Sequence, residues 1–182
     1  MKEKTKIDTI EAYNQCFGLK TRHPLVSVVD LSQATQWPDP LRFSYGIYAL
    51  FLKQVKCGNI QYGRQTYDYQ DGTIICFAPG QVAEVTRIPG ARPSAYGLLF
   101  HPDLIHGTAL GQEIKRYSFF SYAANEALHL SEEERQTILD TMRKIDRELD
   151  HPFDKHSQRL ITAHIGVLLD YCMRFYDRQF AT

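Results

Sequence analysis

The residues of this chain with the clearest capacity for chemistry are its seven histidines, at positions 23, 101, 106, 129, 151, 156 and 164. His101 and His106 lie close together in the chain, and no His-x-His pair occurs. With Glu113 they form the one candidate metal set, since imidazole and carboxylate together suit a divalent cation with open positions. The competing role for His101 is a strand-end side chain that satisfies a nearby backbone carbonyl. Nucleophilic catalysis has less support: there is no Gly-x-Ser-x-Gly elbow, and Cys76 lies in an apolar run that would keep its thiol protonated and inert. Glycine-rich phosphate loops are absent as well. The sequence therefore predicts no enzyme and no cofactor.

A binding pocket is the better expectation. Tyr45, Tyr48, Tyr62, Tyr67 and Tyr96 fall on expected strands, with Arg64, Glu84 and Arg87 close by in sequence. A tyrosine ring stacks on an apolar ligand while its hydroxyl fixes orientation, and an arginine fork holds a carboxylate. These eight residues are the candidate ligand set, although the same tyrosines also serve as core and surface filling. Trp37, between Gln36 and Pro38, either lids the pocket or staples the N-terminal arm.

The elements that must position these groups are short strands. Residues 23–31, 43–53, 59–69, 72–77, 82–88 and 96–100 are β-branched or aromatic runs punctuated by Pro, Gly, Asp or Asn. Such a series favours a small barrel or sandwich over a parallel α/β sheet. The run 61–69 suits a hairpin arm, and residues 71–81, DGTIICFAPGQ, read as turn, buried strand and turn.

Beyond His101 the period changes: residues 103–117 suit a short helix and a loop. Ser131 and Glu134 then form a capping box ahead of an amphipathic helix carrying Ile138, Leu139, Met142, Ile145 and Leu149, ending near His151-Pro152. A second helix is expected over 154–180, folding back as an antiparallel hairpin. Its apolar stripe is wide, including Ile161, Ile165, Leu168, Leu169, Cys172, Met173 and Tyr176. That width needs a partner, either the barrel or the same helix of a second subunit, and these seven residues are the candidate dimer interface.

Composition agrees with a globular protein: 43% hydrophobic and 12% aromatic residues, with zero formal net charge. This neutral balance argues against the chain alone gripping a nucleic acid backbone, which needs a basic face to displace counterions. No segment is apolar enough to span a bilayer and no signal-peptide pattern opens the chain, so a cytosolic protein without membrane partners is expected. The four cysteines lack metal or disulfide spacing and read as reduced thiols.

Two runs, residues 95–105 (AYGLLFHPDLI) and 171–180 (YCMRFYDRQF), resemble the N-terminal half of AraC-family transcriptional regulators. The resemblance implies a mainly β, α+β fold: an N-terminal arm and cupin-like β-barrel (double-stranded β-helix, or jelly roll) over 1–117. A helical linker and dimerisation segment packed on the barrel would follow over 118–182. It also implies a homodimer, a small-molecule effector in the barrel, and DNA contact only through a helix-turn-helix module expected after residue 182. Metal-using cupins supply histidines near a turn like that at 78–81, where this chain has Gln81, Val82, Ala83 and Glu84. The alternative is a stand-alone cupin binding a metal through His101, His106 and Glu113.

Overall fold

A computed structural model of the chain describes residues 4–38, 41–53, 58–62, 65–68, 72–87, 94–120 and 127–180. Among them the strands are β1 (Thr5–Ile7), β2 (Val26–Asp30), β3 (Leu41–Tyr45), β4 (Tyr48–Lys53), β5 (Gly58–Tyr62), β6 (Gln65–Asp68), β7 (Thr73–Phe77), β8 (Val82–Arg87), β9 (Ala95–Phe100) and β10 (Leu128–His129). The helices are α1 (Ile10–Phe17), α2 (Pro102–Ile105), α3 (Ala109–Glu113), α4 (Glu132–Asp150) and α5 (Ser157–Phe180).

The fold is mixed α+β. One sheet runs β1-β3-β8-β5-β6 and the other β10-β7-β4-β9-β2. The two are not hydrogen-bonded to each other among the described residues, so the sheets stay open, where the resemblance implies a cupin-like barrel or jelly roll. Part of the difference lies in the run 43–53, expected as one strand. It breaks at Gly46 and passes from the first sheet (β3) to the second (β4). Gly46 donates its N–H to the Ile7 carbonyl at 2.7 Å, and a Cβ there would lie 2.5 Å from Asp8 Oδ1. A side chain here would have to displace the Asp8 carboxylate, and glycine avoids that.

The second sheet is covered on both faces, which explains why β4, β7 and β9 read as almost unbroken apolar runs. Alternation sends Leu50, Leu52, Ile74, Cys76, Leu98 and Phe100 to one core, shared with α4 and α5. Ala49, Phe51, Ile75, Phe77 and Leu99 go to the other, shared with β3, β8 and α1. The layers are therefore sheet, sheet, helices, and the helical segment shares one core with the second sheet.

The capping box forms as its spacing predicts. Ser131 Oγ accepts from the Glu134 N–H at 3.2 Å, and Glu134 Oε1 accepts from the Ser131 N–H at 2.9 Å. α5 begins three residues later than the pattern suggests. The Asp154 carboxylate accepts from the His156 N–H at 2.8 Å and Ser157 Oγ accepts from the Asp154 N–H at 2.9 Å, a tight side-chain-bonded turn that precedes the helix. Cys76 and Cys172 are buried free thiols, and burial raises both pKa values.

Candidate functional site

The space between the sheets is dominated by rings. Tyr45 on β3 is 4% exposed and stacks on Phe77 at 4.9 Å. Burial drives its phenol pKa far up, so the group stays neutral. α1 plugs this space: Tyr13 lies 4.8 Å from Phe17 and 6.0 Å from Phe51. Local signals build the helix. Thr9 Oγ1 accepts from the Ala12 N–H at 3.0 Å at its start, and Gly18, at φ 65°, closes it. Both signals are legible in the sequence beforehand, yet the segment reads as an arm. Trp37 packs edge-on to Phe17 at 5.2 Å, which gives it the stapling role of the two left open.

The other candidate ligand residues do not all converge here. Tyr48 stacks on Phe100 at 4.9 Å and meets Phe120 edge-on, on the helix-facing side of the second sheet. Tyr96 packs against that same helix-side core. Glu84 pairs in register with Arg42 and Gln61, one residue from the inward-facing Ala83, so it lies on the outer face of the first sheet. Tyr62 and Tyr67 belong to the β5–β6 hairpin and Arg87 to β8, where it registers with Gly58. The side chains of those three, and Arg64 altogether, lie outside the described residues. One inward residue escapes the sequence reading: Lys53, at the end of β4 and on the alternation of Ala49 and Phe51, is 1% exposed.

Gln81, at the turn after β7, is buried and structural. Its Oε1 accepts from the Ala78 N–H at 2.6 Å and its Nε2 donates to the Phe120 carbonyl at 3.3 Å. His101 is also occupied by the backbone. Nδ1 accepts from the Asp103 N–H at 3.0 Å, capping α2 rather than satisfying a carbonyl. His101, His106 and Glu113 do not gather into a metal-holding group, so the alternative metal set has no common centre.

The candidate dimer stripe has a partner within the chain. Ile161, Ile165, Leu168, Leu169 and Cys172 are 0% exposed and Tyr176 is 7% exposed, all in the core formed with the second sheet and α4. Met173 is half-buried beside them. A second subunit could reach the buried six only by opening the fold. The outward face of α5 instead carries Leu160 and Val167, 43% and 46% exposed, with exposed Ala163 between them and half-buried Tyr171 one turn on. A groove of about 520 Å³ separates α5 from α3, where Tyr117 Oη donates to Asp170 Oδ1 at 2.7 Å.

The end of α5 is latched to the second sheet. Arg178 grips Glu134 with two hydrogen bonds, at 2.7 and 3.2 Å, and donates to the His129 carbonyl at 2.8 Å. Gln179 accepts from the His129 N–H at 2.7 Å and donates to the Ala127 carbonyl at 3.0 Å. Desolvation opposes the Glu134 charge, but the Ser131 N–H and the Arg178 guanidinium outweigh it and hold its carboxyl below the usual range. One carboxylate thus closes the start of α4 and fastens the end of α5. The strand it fastens, β10, pairs directly with β7: Leu128 with Ile74 and His129 with Thr73.

No family model matches the chain, and no curated protein matches it in sequence. Among solved structures it is similar to an apo, single-substitution form of ToxT from Vibrio cholerae, at 8% identity and a TM-score of 0.47, over 86% of this chain and 58% of that one. It is also similar to the AraC-like transcriptional activator CuxR, at 10% identity and a TM-score of 0.43, over 86% of this chain and 57% of that one. The chain spans under three fifths of the length of either structure. No helix among the described residues is long and apolar enough to cross a membrane.

Proposed function

We propose that the chain is the ligand-sensing and dimerising part of an AraC-like transcriptional regulator, with a small effector bound between the sheets and its presence relayed through α5. The observation that carries this reading is the Arg178–Gln179 latch. The terminal run 171–180, which resembles the end of such sensor domains, is the segment that grips β10, and β10 is an edge of the sheet whose inner face would line the proposed effector space. Strain on β7 therefore has a short route to the end of the last helix.

An effector shifts the latch equilibrium only by its differential affinity for the two arrangements. Tyr45 lines the space, and Tyr62, Arg64, Tyr67 and Arg87 complete the proposed ligand set. The homodimer is proposed through the outward ridge of Leu160, Ala163, Val167 and Tyr171, whose spacing places them on one side of the helix. DNA contact belongs to a helix-turn-helix module joined beyond α5, and the chain works in the cytoplasm.

A chimera tests this: residues 1–180 fused to a helix-turn-helix domain of known operator, with a reporter gene behind that operator. Compounds from a panel of sugars, organic acids and aromatic acids that raise the melting temperature of the chain should change reporter output. Output unaffected by every stabilising compound would defeat the regulatory reading.

A further inference from the structure

The groove between α3 and α5 is lined on its α5 side by Arg159, Ala163, Gly166 and Asp170, among others. Steps of four, three and four residues put these on one stripe of the helix, beside the exposed ridge of Leu160 and Val167. Gly166 has no reason within the chain: a Cβ there would meet nothing within 4 Å. Alanine would fit and favour the helix, whereas glycine leaves a notch that a second backbone can approach closely. The ends of the stripe carry opposite charge. Arg159 is exposed, and its guanidinium has no partner among the described residues. Asp170 is exposed too; it accepts from Tyr117 at 2.7 Å and forms no ion pair among the described residues. The two lie roughly 16 Å apart along the helix axis, too far for a single amino acid to bridge and suited to a second helix. Each stands four residues outside the Ala163–Gly166 pair, so the stripe is its own complement when run in the opposite direction.

We infer that the groove receives α5 of a second copy of this chain, antiparallel, about a two-fold axis between Ala163 and Gly166, with Arg159 of each copy set against the partner's Asp170. A two-fold contact is isologous, so the charge pair is made twice. Parallel docking would instead set arginine beside arginine and aspartate beside aspartate, and like charges in apposition reject that arrangement. The small side chains at the centre let the backbones approach, and the ridge of each copy then fills the groove of the other. This inference rests on the homodimer proposed above and adds its direction, its register and the charge pair that fixes them.

The test is sedimentation over a concentration series, with circular dichroism to check the fold, for the parent, Arg159→Glu, Asp170→Lys and Gly166→Gln. Each charge variant alone should dimerise at least about tenfold more weakly than the parent, because two attractions become two repulsions. Mixed in equal amounts, Arg159→Glu and Asp170→Lys restore both pairs across the interface, and the mixture should dimerise as the parent does. Asp170→Asn, which keeps an acceptor for Tyr117, takes the place of the lysine variant if that one loses helix content; its mixture with Arg159→Glu should still dimerise more tightly than Arg159→Glu alone. Gly166→Gln should keep the parent's helix content and weaken the dimer, since its side chain fills the notch. A parent that stays monomeric throughout would overturn the inference together with the proposed homodimer. A dimer indifferent to the charge variants, a mixture no tighter than its components, or a dimer unchanged by Gly166→Gln would overturn the antiparallel register alone. A dimer that obeys the charge rule while the chimera stays silent would support the register and defeat the regulatory reading.

Discussion

The two faces of the second sheet are both buried, but they are built differently. The helix-facing side is mostly aliphatic on the strands, closed by the stripe of α5 and the apolar side of α4. The inter-sheet side is aromatic, is plugged by α1, and ends in Lys53 and Thr73. The first face can be explained by packing alone. The second carries two buried polar side chains, Lys53 and Thr73, beside its aromatic layers. The same contrast divides α5, whose inner side is core and whose outer ridge is surface.

The largest effect is expected where that division is sharpest. Leu168→Asp puts a charge into the fully buried helix core and should cost more than about 4 kcal/mol, enough to unfold a marginal domain. Urea denaturation or the loss of soluble protein would register it, and a mild dimer defect in a folded protein would instead return the stripe to the subunit interface.

Gly97→Ala probes the other face. The added methyl would stand 2.8 Å from the Phe51 ring and 3.0 Å from Val29, so a loss of about 1–3 kcal/mol is expected from overpacking. Denaturant midpoints check it, and an unchanged midpoint would mean that the aromatic layer gives way easily.

Arg178→Ala tests the link between the faces, with an expected loss of about 1 kcal/mol for a partly exposed bidentate pair. Its pH dependence has a definite sign. The folded Glu134 pKa is depressed, so the pair's stabilisation is present above the ordinary carboxylate pKa and is lost as pH falls through the folded value. The difference between parent and Arg178→Ala should therefore be full near neutrality and shrink in acid. A pH series of urea melts reads this directly.

The smallest effect on folding is expected one residue from the largest. Val167→Asp, on a side chain 46% exposed, should leave stability within about 0.5 kcal/mol of the parent. Sedimentation should nonetheless show a weakened dimer, and an unaltered dimer would remove the outer ridge from the interface.

Much of the frame could be read beforehand because its signals are local. The Ser131–Glu134 box, the hairpin in 59–69, the β7 strand between its turns and the four-residue apolar steps of α4 depend on neighbours within a turn or a pair of strands. The α1 plug also had its cap residues in view, and its short length hid it. The eight-residue ligand set was less legible, because alternation along one strand separates Tyr45 and Tyr48 by face but gives no sign that the break at Gly46 puts them on different sheets.

The sequence by itself determined the two long helices and the approximate place of most strands, where α4 is capped, and that α5 carries more apolar surface than one face of a lone helix can hide. Tertiary structure alone decided what covers that surface, that the sheets stay open, and that Lys53 is drawn inside beside Thr73. Those outcomes depend on contacts between residues far apart in the chain, and local pattern carries no record of which distant partner wins.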